Sequence, residues 1–240
     1  MTVVRTPTKL RDLLTKTHQL DATTIDTYLT IHQGNAKVAL DVSKALVSPI
    51  DNSLLVDTIW SSIGVYPRFQ WSITMPFPLT EPTICEDGMA TMFTALDQLA
   101  DRGIKVTRSN EKPLLVVVSS TAPENLWEGL PWVYVPFYAW LLRSPHTDKL
   151  NMEKLVKADD GAHVRSFVII RPSILTDGAE RGIEKVRAGW KWGLAGKSGT
   201  EKEPGYTTGY SVGKKDIAAW VFRKVVAEGG WEGRCVSLCY

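Results

Sequence analysis

Cysteine, histidine and any excess of charge are what this chain has least of. Its three cysteines, Cys85, Cys235 and Cys239, show no metal-ligand spacing. Cys235-Val-Ser-Leu-Cys239 alternates like a strand, so buried, reduced thiols are expected. His18, His32 and His163 lie scattered with no metal constellation, and His146 is expected to be a loop residue and not an acid or base. The 28 Lys and Arg nearly balance the 26 Asp and Glu, and a net charge of +2 argues against a nucleic-acid partner. No apolar run approaches the ~20 residues of a membrane span. The opening Met-Thr-Val-Val-Arg5 also lacks the apolar core of a signal peptide. A cytoplasmic protein without a membrane partner is the expectation.

Apolar residues are present in ordinary measure, 44% against 22% charged, enough for one substantial core. The most informative stretch is Leu114-Leu-Val-Val-Val-Ser-Ser-Thr121, an unbroken apolar run that stops at three hydroxyls. A strand covered by helices on both faces reads this way, whereas a half-exposed strand alternates. Two other stretches repeat the pattern. Leu54-Leu-Val-Asp-Thr-Ile-Trp60 runs into Ser61-Ser-Ile-Gly64, and Phe167-Val-Ile-Ile170 into Arg171-Pro-Ser173. In open parallel sheets the ligand crevice lies beyond the carboxyl ends of the strands, so these hydroxyls could reach a substrate or cofactor. On the 114–121 stretch alone, capping or turning the chain is an equal alternative.

Helical patterns separate the runs. Thr6 before Pro7 reads as a hydroxyl cap and a first-turn proline, followed by Leu10, Leu13 and Leu14 at helical spacing. Tyr28 to Ile31 reads as a short strand, Val38 to Leu46 and Cys85 to Leu99 as helices, and Met152 to Val156 as part of another. Loops rich in Pro and aromatics fall between Tyr66 and Pro78 and over 123–138, and a mobile segment is expected over 193–205. A helix from Lys215 to about Ala227 and a strand at Val236–Leu238 complete the order. The alternation predicts one α/β domain over 1–240, a doubly wound parallel sheet. Of nine Trp, those at 190, 192 and 231 lie in Gly-rich, charged stretches where they could line a pocket. Gly193-Leu-Ala-Gly196-Lys197-Ser198 faintly suggests a phosphate loop, but Lys191 stands where its first glycine belongs.

Several marks then fall in order. They are Val-Val-Arg5-Thr-Pro-Thr-Lys9, His32-Gln-Gly34-Asn35, Ser61-Ser-Ile-Gly64 and Val-Ser119-Ser-Thr121. Asp148-Lys149 with Glu153, Ile-Arg171-Pro172, and Gly213-Lys-Lys-Asp216-Ile217-Ala218 follow. Together they resemble the atypical short-chain dehydrogenase/reductase family, in its NAD(P)H-binding, NmrA-like branch. The resemblance implies a Rossmann-like sheet and covers nearly the whole chain. One element of the family pattern is missing, the opening strand with its Gly-x-x-Gly-x-x-Gly loop. Met1 stands where the second strand would be under way, so the fold is expected to be incomplete at its N-terminus, with weak dinucleotide binding.

By that resemblance Arg5, Thr6 and Lys9 read the adenosine ribose. No carboxylate precedes Asp12, and cations suit the extra phosphate of NADP, which is therefore the expected cofactor. Asn35 takes the position beside the adenine. Ser62, Gly64, Ser119, Ser120, Pro172 and Ser173 are the other expected cofactor contacts, and Lys149 and Thr121 the candidate catalytic residues. The family's proton donor, a Tyr four residues before the Lys, is replaced by Pro145. Arg5 and Lys9 as solvated charges, and Lys149 as a surface helix lysine, are the plainer alternatives. Two functions follow from the resemblance: an NADP-dependent oxidoreductase acting on a small organic substrate held by the C-terminal segment around 176–212, or a non-catalytic dinucleotide-sensing or interaction protein. A hydrolase built on Ser119 or Ser120 lacks the Gly-x-Ser-x-Gly elbow.

Overall fold

A computed structural model describes residues 1–64, 71, 80–121, 143–194 and 201–240. The chain divides into two compact units, Met1–Asp57 with Asp87–Pro113, and Thr58–Glu86 with Leu114–Tyr240. The Pro- and aromatic-rich loops at 65–70 and 72–79, the stretch 122–142 and residues 195–200 of the expected mobile segment lie outside the described residues.

In the first unit, β1 (Thr2–Val4) pairs in parallel with β2 (Ile31–Gln33), Val3 opposite His32. Helix α1 (Pro7–Asp12) starts at the proline, but the Thr6 side chain makes no cap bond, and the helix widens into a π-type turn over Leu13–Thr17. The strand expected from Tyr28 is corrected. The Asp21 carboxylate accepts from the Thr24 N–H at 2.8 Å and the Thr24 hydroxyl at 2.6 Å, starting α2 (Ala22–Tyr28), which buries Ile25. Helix α3 (Ala39–Leu46) forms where the periodicity places it. Most of α4 (Ile84–Asp101) belongs here, burying Met89, Met92, Ala95, Leu96 and Leu99.

The strand read from Leu54 onward begins only at Thr58. Leu55 and Val56 donate their N–H groups to Val106 and Leu46, so this part of the run closes a loop instead of joining the sheet. What remains is β3 (Thr58–Ser61), at one edge of a five-stranded sheet in the second unit. Its neighbours follow in the order β4 (Leu114–Val118), β5 (Ser166–Pro172), β9 (Arg234–Cys239) and β7 (Arg187–Trp192). The first four are parallel, and β7 closes antiparallel to β9. A separate parallel pair joins β6 (Ile174–Thr176) and β8 (Ser211–Gly213).

Strand periodicity divides the sheet into two buried faces. Leu114, Val116, Val168, Ile170, Trp190, Val236 and Leu238 pack with Ile217 and Trp220 of α6 (Lys214–Trp220), and with Val221 and Val225 of the π-type winding that follows it. The other face carries Leu115, Val117, Phe167, Ile169 and Cys235, all buried. Helix α5 (Arg143–Ala158) meets that face, its Glu153 bonded to Arg171 at the end of β5. Helices on both faces of a mainly parallel sheet make the α/β, doubly wound fold that the alternating pattern predicts.

Candidate active site

The carboxyl ends of β3, β4 and β5 come together because these strands are parallel neighbours in close register. Ser61 lies opposite Val117, Val118 lies opposite Ile170, and the Ser119 N–H continues the ladder to the Ile170 carbonyl at 2.8 Å. Residues 61–64, 119–121 and 171–173 therefore share one edge of the sheet, as the three apolar runs predict.

Two neighbouring residues of α5 hold this edge together. The Lys149 ammonium donates to the Ile63 carbonyl at 2.9 Å and to the Val118 carbonyl at 2.8 Å, tying the chain beyond β3 to the end of β4. Asp148, buried, accepts from the Cys85 and Glu86 N–H groups, both at 3.0 Å, and so caps the first turn of α4. Cys85 donates its thiol to the Ile63 carbonyl at 3.3 Å. Burial pushes the Cys85 thiol up to about 11, the Lys149 charge opposing and Asp148 adding to the rise. Asn151, one turn on, donates to Glu86 at 2.9 Å. His146, expected in a loop, lies in the first turns of α5, where burial lowers its pKa.

The hydroxyls at the edge divide into used and unused. Thr121 donates to the Pro172 carbonyl at 2.6 Å, and Ser173 bonds the Leu238 carbonyl through N–H and hydroxyl at 3.0 and 3.3 Å. The Ser119 and Ser120 hydroxyl oxygens are buried with no hydrogen-bond partner among the described residues. A buried hydroxyl left unpaired costs roughly 1–3 kcal/mol, so among the described residues this pair at a strand end has hydrogen-bonding capacity to spare. Ser62 and Gly64 are exposed beside them.

In the first unit, Arg5, Thr6, Lys9 and Asn35 are all exposed, near the ends of β1 and β2. Asn35 is held by its own loop. Its N–H donates to Asp41 at 3.0 Å and its side-chain oxygen accepts from the Lys37 N–H at 3.0 Å. The Lys44 bond, and then the Asn35 N–H, hold the Asp41 carboxyl below its ordinary range.

The tryptophans singled out by composition surround a cation. Arg234 lies 4.0, 5.1 and 5.4 Å from the rings of Trp190, Trp192 and Trp231. Trp192 also borders a cavity of about 300 Å³ with Phe167, Val156 and Gly233, at the amino end of β5 and so at the other end of the strand from the hydroxyls. Among the described residues no cluster of His, Cys, Asp and Glu could hold a metal, and no helix is long and apolar enough to cross a membrane. The sequence reading missed Tyr206, which accepts from Arg171 at 2.6 Å, and the capping role of Asp148. A lone arginine directly after the run Val168–Ile170 was the available signal for the first.

The chain is 32% identical over 249 residues to the reductase pytE of Aspergillus terreus, covering 99% of this chain and 87% of that protein. It is also 32% identical over 267 residues to the oxidase pynE of Aspergillus niger, covering 98% and 88%. A short-chain dehydrogenase/reductase of Veillonella parvula solved in complex with NADP superposes with a TM-score of 0.54 at 11% identity, over 97% of this chain and 88% of that one. The oxidoreductase ylbE of Lactococcus lactis superposes with a TM-score of 0.54 at 11% identity, over 99% and 89%. No family model matches. At such identities the superpositions establish the fold, which is the Rossmann-like fold of NAD(P)-binding proteins.

Proposed function

We propose an NADP-dependent oxidoreductase acting on a small organic substrate, from the premise that this chain belongs to the same family as the fungal reductase pytE and oxidase pynE. The observation that carries the reading is the pair of buried hydroxyls of Ser119 and Ser120, without a hydrogen-bond partner among the described residues, at the carboxyl edge of the parallel sheet. That edge is where open α/β sheets bind their ligands. Residues there fit a dinucleotide: two hydroxyls to pair with it, and beside them an ammonium, that of Lys149, which carries three donors. Bound there, the nicotinamide group supplies hydride chemistry that no side chain can.

The chain's own residues then have distinct tasks. Ser119 and Ser120 supply hydrogen bonds to the cofactor or substrate, joined by Ser62 and by the backbone at Gly64, Pro172 and Ser173. Thr121, its proton already given to Pro172, acts as an acceptor. Lys149 holds the ends of two strands in place and adds positive charge at the edge. At the ends of β1 and β2, Arg5, Thr6 and Lys9 are the contacts for the 2′-phosphate, and the Asn35 amide for adenine.

A second reading, a dinucleotide-sensing protein without turnover, draws on one observation. Lys149 uses two of its donors on backbone carbonyls, a structural employment, and Pro145 stands where the family's Tyr would. Calorimetry with NADPH and NADH on wild type, Arg5→Ala and Ser119→Ala/Ser120→Ala tests the binding claim. NADPH should bind more tightly than NADH, and each variant should weaken NADPH about tenfold. Equal affinity for both nucleotides, unchanged by the substitutions, would sink it. Oxidation of bound NADPH by a panel of aldehydes, ketones and quinones then separates enzyme from sensor.

A further inference from the structure

Three buried polar residues stand in one row on the α5 face of the sheet. The register sets Arg171 opposite Ser237 and Ser237 opposite Gly189, while Ser119, one residue past the pair Val118 and Ile170, comes level with Arg171. Ser119, Arg171 and Ser237 are each more than nine-tenths buried. Sheets covered on both faces are apolar in such rows. This row is polar, and it leads across the sheet to the Ser119 hydroxyl, which has no partner among the described residues.

A strap covers the row. The Thr207 N–H donates to the Ser237 hydroxyl at 2.8 Å, which donates in turn to the Gly189 carbonyl at 3.1 Å. Glycine at 189 is what lets the strap lie this close, since a Cβ there would sit 2.4 Å from the Thr207 nitrogen and 2.5 Å from the Gly205 carbonyl oxygen. Next in the strap, Tyr206 accepts a hydrogen bond from Arg171 Nη1 at 2.6 Å. Its ring also lies 5.2 Å from the Arg171 guanidinium carbon and 5.0 Å from Lys191 Nζ.

Two more donors of the Arg171 guanidinium go to α5. Nε donates to Glu153 Oε1 at 3.0 Å and Nη2 donates to Oε2. Glu153 lies one helical turn after Lys149, on the same side of α5. Arg171 itself immediately precedes Pro172, whose carbonyl accepts the Thr121 proton. A guanidinium this buried must have its donors satisfied, so removing one acceptor makes it turn or admit water. Turning would move Glu153 or Pro172, and with them the groups of the sheet edge.

Resting on the oxidoreductase reading, we propose that Tyr206 is a positioning residue of the active site. Its phenol oxygen completes a bridge from the strap through Arg171 to Glu153, and that bridge sets the α5 turn bearing Lys149 and the β5 end facing Thr121. Tyr206→Phe in the full chain is the test, because it keeps the ring near both cations and removes only the oxygen. Two probes are compared by calorimetry: NADPH, and 2′-phosphoadenosine 5′-diphosphate, which has the adenosine half alone. The expected result is about a tenfold loss for NADPH with the adenosine half within about twofold. Equal losses for both, or no loss, would overturn the proposal.

Amide exchange without nucleotide supplies an arm independent of binding. Tyr206→Phe should speed exchange at 119–121, 171, 173 and 149–153 as well as at 205–207, and a change confined to the strap would refute the bridge. If wild type binds neither probe, the oxidoreductase reading fails, and exchange alone decides the fate of Tyr206.

Discussion

Glu153 and Arg171 meet at two points with both side chains sealed from solvent, 0% and 2% exposed. Burial pushes the Arg171 pKa down, but the bond and charge of Glu153 more than reverse it, so the guanidinium stays charged. Glu153→Gln should therefore lose about 3–5 kcal/mol, because it leaves a buried cation without its counter-charge. The double variant Glu153→Leu/Arg171→Met should recover most of that loss. Urea midpoints at constant m-value would read both, and a double variant as unstable as the single one would contradict the argument.

Cys85 gives the chain an alkaline dependence. Its folded pKa of about 11 lies above its ordinary 9.0, raised by burial, so the folded state holds the thiol proton more tightly than the unfolded state does. The stability this contributes is present below pH 9.0 and is lost as pH rises toward about 11. The total is on the order of 2 kcal/mol. Chemical denaturation of wild type and Cys85→Ala across that window should show a steeper decline for wild type. Parallel curves would mean that the thiol is not protected as the geometry implies.

Asp216 acts at the acid end. It is buried, and accepts from the Gly182 N–H at 2.8 Å, the Arg181 N–H at 3.1 Å and the Tyr240 hydroxyl at 2.5 Å. Burial alone would raise its pKa, but the Tyr240 bond, the two N–H groups and the Arg181 charge together hold it below 3.8. Its contribution is thus complete above pH 3.8 and disappears as pH falls through the lower folded value. Asp216→Asn should be about 2 kcal/mol less stable at pH 7, with the difference narrowing in acid. A gap that stays constant down to pH 2 would refute the assignment.

Gly189→Ala should destabilise by about 1–3 kcal/mol and lift the strap, since the added carbon would meet backbone and not a movable side chain. Near-ultraviolet circular dichroism from the adjacent Trp190 reports the change. Gly64→Ala, where a Cβ meets nothing within 4 Å among the described residues, is the control and should stay within about 0.5 kcal/mol. Equal effects at the two glycines would remove the case for close approach.

What the sequence made legible were the strands buried on both faces. The runs at 114–118 and 167–170 read as strands because nothing but apolar side chains fits there. Strand β7 did not, since Arg187-Ala-Gly-Trp-Lys-Trp192 owes its place to pairing with β9 and its composition to the strap crossing Gly189. The start of α2 is less legible although Asp21 and Thr24 carry its cap, because the aromatic and β-branched residues from Tyr28 to Ile31 read as a strand. In the site, the hydroxyl cluster and Lys149 were visible as neighbours of strand ends. Tyr206 was not, because it reaches Arg171 from a segment with no periodicity of its own.

Strand β9 occupies an interior place in the sheet, between β5 and β7, yet the ribosome makes it after both. Until residues 234–239 emerge, one side of β5 and the whole of β7 lack the hydrogen-bonding partner they have in the finished sheet. Closure is therefore a late, non-local event, of the kind that slows folding. A nascent chain released before that point would display the open backbone edge of Val168–Ile170, a ready template for pairing with other chains.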